Sequence, residues 1–166
     1  MTDAALKSDA RKPATRDIIV EQVFPHAPET IWKTLTDGEL MLRWLPMPSA
    51  GFQAVEGARF TFQTTPAGAW DGVIQCQVLE VVPNERLVYS WRGGHEGNVG
   101  YGASLDTVVA WTLARVGVGT RIRLVHAGFV RPGNDMAFEN MSGGWRKVVG
   151  DVDTVAAEQT SQKAGA

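Results

Sequence analysis

Hydrophobic positions recur every second residue at the start of the chain, pass to helical spacing, return to alternation, and end at helical spacing. In residues 16–24, Asp17 and Glu21 fall on one parity and Ile18, Val20 and Phe24 on the other, which predicts a half-buried strand ended by Pro25. Pro28 then stands where a first helical residue needs no N–H, and Glu29 follows near the positive end of the dipole. Ile31, Trp32 and Leu35 predict the inner face of a short helix. Asp37 is placed to cap a second helix that carries Leu40, Met41, Trp44 and Leu45 before Pro46 and Pro48 stop it. From Ala58 onward the period is two. Phe60 and Phe62, then Ile74, Cys76 and Val78, then Leu87, Tyr89 and Trp91, then Val109, Trp111 and Leu113, then Ile122, Leu124 and His126 predict the buried parities of successive strands. After Pro132 and Gly133, Phe138, Met141, Trp145, Val148 and Val152 fall on one stripe of a long last helix, with Asn134 or Asp135 as its cap. Gly143 and Gly144 inside it cost about 1 kcal/mol each against Ala, which asks for a kink or a close approach. Strand, two short helices, antiparallel strands and a long helix predict an α+β domain in which a curved sheet grips a helix.

Residues 1–15 show no apolar period, and their composition cannot offset the entropy of ordering them. The expectation is a disordered tail over 1–15, one domain over 16–160 and a second short tail over 161–166. A chain of 166 residues, 44% hydrophobic and 20% charged, suits a single core. Sixteen Lys and Arg against eighteen Asp and Glu leave a formal charge of -2 and a pI near 5.9, so the basic stripe that nucleic acid attracts is missing. Apolar runs fall far short of the roughly 20 residues of a membrane span, and the first residues lack a secretory apolar segment. A cytoplasmic location is therefore expected, with neither nucleic acid nor membrane as partner. Cys76, alone, forms no internal disulfide, and His26, His95 and His126 show no paired ligand spacing with it. No metal and no cofactor are expected.

The stretch Val23-Phe24-Pro25-His26-Ala27-Pro28-Glu29-Thr30-Ile31-Trp32, continuing to Asp37 and followed by Trp44 and Pro46, is one of several motifs that carry a resemblance. The others are the Pro83-Asn84-Glu85-Arg86-Leu87 turn, Gly119-Thr120-Arg121 leading to His126-Ala127-Gly128-Phe129, and Gly144-Trp145. Together they resemble the helix-grip superfamily that includes birch-pollen allergens, steroidogenic acute regulatory lipid-transfer domains and polyketide cyclases. Within it, they resemble the branch named after the activator of the ninety-kilodalton heat-shock chaperone ATPase. The resemblance covers about residues 16–157 and implies the helix-grip fold and a role in stress response. Two departures stand out: Gly38 where the family usually has Pro, and Val148, Val149, Gly150 and Val152 where it is Leu-rich. The second implies a more loosely packed last helix.

Six Trp and six Phe need a large apolar place to sit, whether core or pocket. Phe62, Trp70, Tyr89, Trp91, Trp111, Phe138 and Trp145 all fall on inward parities or on the last helical stripe. In an ordinary domain these are simply core, whereas a sheet gripping a helix tends to enclose an apolar cavity. The candidate ligand-binding set is accordingly Trp44, Phe62, Trp70, Ile74, Tyr89, Trp91, Trp111, His126, Phe138, Met141 and Trp145. His126 reads as a structural or anchoring histidine, because no Ser, Cys or carboxylate stands at a triad spacing from it. The glycine-rich segment 93–102 precedes a strand rather than a helix, so it reads as a hairpin loop and candidate lid, not a phosphate cradle. The expected function is binding of a small hydrophobic molecule between the sheet and the last helix. Two alternatives come from other classes. One is a protein-interaction module, with a chaperone or a second copy of the chain (a homodimer) as partner. The other is a cyclase- or hydrolase-type enzyme using His126, Tyr89 or Arg43 in the same cavity.

Overall fold

The computed structural model describes the backbone of residues 14–165 and the side chains of residues 14–160. β1 (Thr15–Phe24) leads into α1 (Pro28–Thr36) and α2 (Gly38–Trp44), and β2 (Ser49–Ala50), β3 (Arg59–Gln63), β4 (Val73–Val82), β5 (Arg86–Gly93), β6 (Leu105–Val116) and β7 (Gly119–Val130) precede α3 (Asp135–Gly165). The strands form one antiparallel sheet in the order β1-β7-β6-β5-β4-β3-β2. α3 packs against α1, α2, β1 and β7. This is the α+β architecture expected, a curved sheet around a long C-terminal helix with two short helices after the first strand.

Local chemistry explains the element ends. Pro28 opens α1, and the Asp37 carboxylate accepts from the N–H groups of Glu39 (2.9 Å) and Leu40 (3.3 Å), capping α2. The inward parities of β3 to β7 are buried as the alternation predicts. One exception follows from a bulge between β7 and β1: the register passes from Arg16 to Ile18 on β1 while passing from Phe129 to His126 on β7. Gly128 takes a φ of +101° there, and its N–H donates to Asp17 Oδ1 at 3.2 Å. The extra residue switches the parity, so Phe129 turns inward beside His126.

Several expectations change. Thr15 already belongs to β1, paired with Val130, and the Ala14 carbonyl accepts from Arg131 N–H at 2.9 Å. A ladder partner distant in sequence orders residues whose own composition does not; residues 1–13 lie outside the described residues. At the other end, the α3 backbone continues to Gly165 rather than ending at 160, in a segment with no proline to stop it. Trp32 is only half-buried, because Ile31, Thr34 and Leu35 already make up the buried stripe of α1 and Trp32 lies a quarter-turn or so away. Val149, Val152 and Ala156 have no exposure, so α3 is not loosely held where valine replaces leucine. Its packing is reinforced by His26 Nε2, 2.7 Å from Asp153 Oδ1. Gly143 and Gly144 lie on an exposed face of α3, and a Cβ at either would meet nothing within 4 Å, so no close approach requires them.

Candidate functional site

The inner side of the sheet divides into a sealed end and an open end. At the sealed end α1 and α2 close over the core. Trp44 sends its indole N–H to the Thr34 carbonyl (2.7 Å) and meets Trp111 edge-on at 5.6 Å between centroids. Trp111 donates in turn to the Tyr89 hydroxyl (3.1 Å) and packs edge-on against Trp145. Burial pushes the Tyr89 phenol and the Cys76 thiol well above their ordinary values, so both are neutral groups of the core.

His126, opposite Val109 on β6 and Ile18 on β1, has no exposed surface. Trp145 Nε1–H donates to its Nδ1 at 2.9 Å, which makes Nδ1 the acceptor and places the ring proton on Nε2. Nε2–H then faces Thr107 Oγ1 at 2.7 Å, and the Thr107 hydroxyl donates onward to the Trp91 carbonyl at 2.8 Å. The chain Trp145, His126, Thr107, Trp91 is thus one directed series of donors with each atom used. Desolvation holds the imidazole neutral, with its pKa pushed down to about 3. Its one basic lone pair is occupied by Trp145, so His126 ties α3 to β6 and β5 and is not poised to take a proton from a ligand.

At the open end the first turns of α3 face the sheet across a gap. Between β4, β5, the start of β6 and the first turns of α3 lies a cavity of about 200 Å³. Trp70, Ile74, Trp91, Leu105, Ala137 and Met141 form most of its wall, with Met47 entering from the segment after α2. A second recess of about 230 Å³ shares Met47, Trp91, Asn140 and Met141 with the first and continues along α3 past Gly144, Trp145 and Val148. The two methionines are the deformable members of the wall that the two spaces share. Two loops frame the mouth. Asn98 Nδ2 donates to the carbonyls of Ala67 (2.7 Å) and Gly102 (3.1 Å), and Tyr101 Oη donates to the Thr65 carbonyl (2.7 Å), which clips segment 94–104 to segment 64–72. Gly94, at a φ of +77°, leaves room for the Ala103 carbonyl where a Cβ would overlap it. The glycine-rich segment thus lies at the rim, with Tyr101, Gly102 and Ala103 on the lining.

The candidate residues named from the sequence separate between these two ends. Trp70, Ile74, Trp91 and Met141 line the cavity, and Trp145 lines the adjoining recess. Trp44, Phe62, Tyr89, Trp111 and His126 are buried in the packed core. Phe138 faces away, packing on Phe129 with the Arg16 guanidinium 3.5 Å over its ring. Sequence reasoning did not single out Met47, Leu105, Ala137 and Asn140 for the wall. Only Ala137 carried a signal, as the residue one turn before Met141 on the last helix. Among the described residues no cluster of His, Cys, Asp and Glu suits a metal ion, and no helix is long and apolar enough to cross a membrane.

Several solved structures share this fold. Protein MLL2253 from Mesorhizobium loti is 31% identical, with a TM-score of 0.74 over 86% of this chain and 98% of that one. CalU16 from Micromonospora echinospora is 22% identical, with a TM-score of 0.65 over 89% of this chain and 80% of that one. The Bacillus halodurans protein BH1534 is 20% identical, with a TM-score of 0.66 over 85% and 96% of the two chains. The last two likenesses speak for the fold alone. No curated protein matches the chain. The family described as Activator of Hsp90 ATPase homolog 1-like protein matches residues 25–155. With the helix-grip architecture on the page and most of its length matched, the chain belongs to the Activator of Hsp90 ATPase homolog 1-like family.

Proposed function

We propose that the protein binds a small, uncharged apolar molecule in the cavity at the open end of the sheet. The observation that carries this reading is the lining itself: about 200 Å³ walled mainly by tryptophan, aliphatic and methionine side chains, with Thr64 and Asn140 as neutral polar groups and no ionisable group other than the rim hydroxyl of Tyr101. A dry cavity near 150 Å³ is known to hold a benzene-sized guest, so this one suits a compact one- or two-ring compound. Indane is a suitable probe. Titration followed by tryptophan fluorescence is expected to saturate, and Ala137→Phe, which fills the cavity from α3, is expected to abolish the effect. Absence of saturable binding up to the solubility of indane overturns the reading.

The acid–base alternative has less support. His126 Nδ1 is occupied by Trp145, Tyr89 is sealed in the core, and the Arg43 guanidinium pairs with Glu158 on the surface. A chaperone contact would draw on the outer face of the sheet, where Ile19, Val23 and Leu79 are about half exposed.

A further inference from the structure

We infer that the ligand carries a hydrogen-bond acceptor, a ketone or ether oxygen, that pairs with the indole N–H of Trp91. This rests on the ligand-binding reading above and narrows the chemistry of what is bound. Buried indole N–H groups are normally paired, since an unpaired donor removed from water costs free energy. The other buried indoles, Trp44, Trp111 and Trp145, obey this: they donate to Thr34 O, Tyr89 Oη and His126 Nδ1. Trp91 is 1% exposed, and among the described residues its Nε1 has no acceptor.

Nor is that nitrogen one of the fully sealed unpaired side-chain atoms, which are Arg16 Nε and Asp135 Oδ1. The ring is enclosed elsewhere by Phe62, His126 and Trp145. Trp91 lines both recesses, and its N–H, without a protein acceptor among the described residues, is the one polar group its side chain can offer there. The ring cannot easily turn away to find another partner, because Phe62, His126 and Trp145 pack against it. A donor fixed in place within an apolar wall is the arrangement by which a cavity orients a ligand with one polar atom. The same wall carries the uncharged polar side chains of Thr64, Tyr101 and Asn140 but offers no cation to a carboxylate and no anion to an amine, which favours a neutral acceptor.

The test compares 1-indanone with indane, which differ by the carbonyl, on the parent protein and on Trp91→Phe. Desolvating the carbonyl weakens the ketone in both proteins, so the quantity to read is the ratio of the two Kd values. Loss of the N–H is expected to raise the indanone-to-indane ratio about tenfold. An unchanged ratio, with indane still bound, overturns the acceptor proposal and leaves the apolar cavity standing. Failure of both compounds to bind the parent protein overturns the cavity reading and this inference with it. Should Trp91→Phe not fold, the Trp91 indole proton resonance of the parent protein decides. A downfield move with 1-indanone and not with indane supports the pairing, and no difference between the two compounds refutes it.

Discussion

The sealed end around Trp111 and the open end around Trp70 are built from the same kind of residue, yet they are different materials. At the sealed end the Trp44 and Trp111 indoles have protein partners and a full shell of neighbours, and between the two ends the side chains of Trp145, His126 and Thr107 form one satisfied series that ends on the Trp91 backbone carbonyl. At the open end the aromatic side chains have a packed side and an empty side, and the Trp91 N–H has no acceptor among the described residues. What separates the two is cover. α1 and α2 lie over one end, and only two clipped loops and the first turns of α3 approach the other. Aromatic content therefore marks where apolar surface is needed, and the covering elements decide whether it becomes core or cavity wall.

The contrast is broken most directly by truncating an indole on each side. Trp111→Ala, at zero exposure, is expected to destabilise the protein by about 3–5 kcal/mol in urea denaturation. Trp70→Ala, half-buried, is expected to cost roughly 1 kcal/mol while weakening indane at least tenfold. Equal losses of stability at the two positions would abolish the distinction drawn here.

The next effect concerns pH. The His126 pKa is lowered in the folded state to about 3, so the unfolded chain binds the proton more readily. The contribution is fully present above the unfolded value near 6.5 and is lost as pH falls toward 3, at up to about 1.4 kcal/mol per pH unit. His126→Gln keeps an acceptor for Trp145 and a donor for Thr107 but does not titrate. Its deficit relative to the parent protein is expected to shrink between pH 7.5 and pH 5; a constant deficit would show that His126 is not the titrating group.

Met141→Ala addresses the shared wall at the open end. Merging the two recesses is expected to shift preference toward three-ring guests by several-fold, read as the ratio of fluorene to indane affinity. The smallest effect has the opposite sign for stability: Gly143→Ala, exposed and with open space at Cβ, is expected to stabilise α3 by up to about 1 kcal/mol without changing indane binding.

Much of the fold was legible because two periods, 2 and 3.6, map directly onto buried faces. The inward residues of β3 to β7, the Asp37 cap and the short helices after β1 all followed from local pattern. The switch of parity at Gly128 was not legible, since a bulge depends on how β7 meets β1 rather than on either strand alone. Trp32 shows the same limit: hydrophobicity says that a side chain prefers cover, while the rotation of α1 against the sheet decides whether it gets it. The candidate site was read from parity and so included core and wall residues together.

By itself, the sequence determined the element order, the buried parity of most strands, the stripe of the last helix and the concentration of aromatic side chains on inward positions. Each depends on interactions within a few residues or on a repeat that one face of an element must satisfy. Only the tertiary structure decided that Trp111 is sealed and Trp91 borders empty space, that His126 spends its lone pair on Trp145, and that Met47 reaches the same cavity as Leu105 and Ala137. Those outcomes depend on where helices distant in the chain come to rest over a sheet, and no local period encodes that distance.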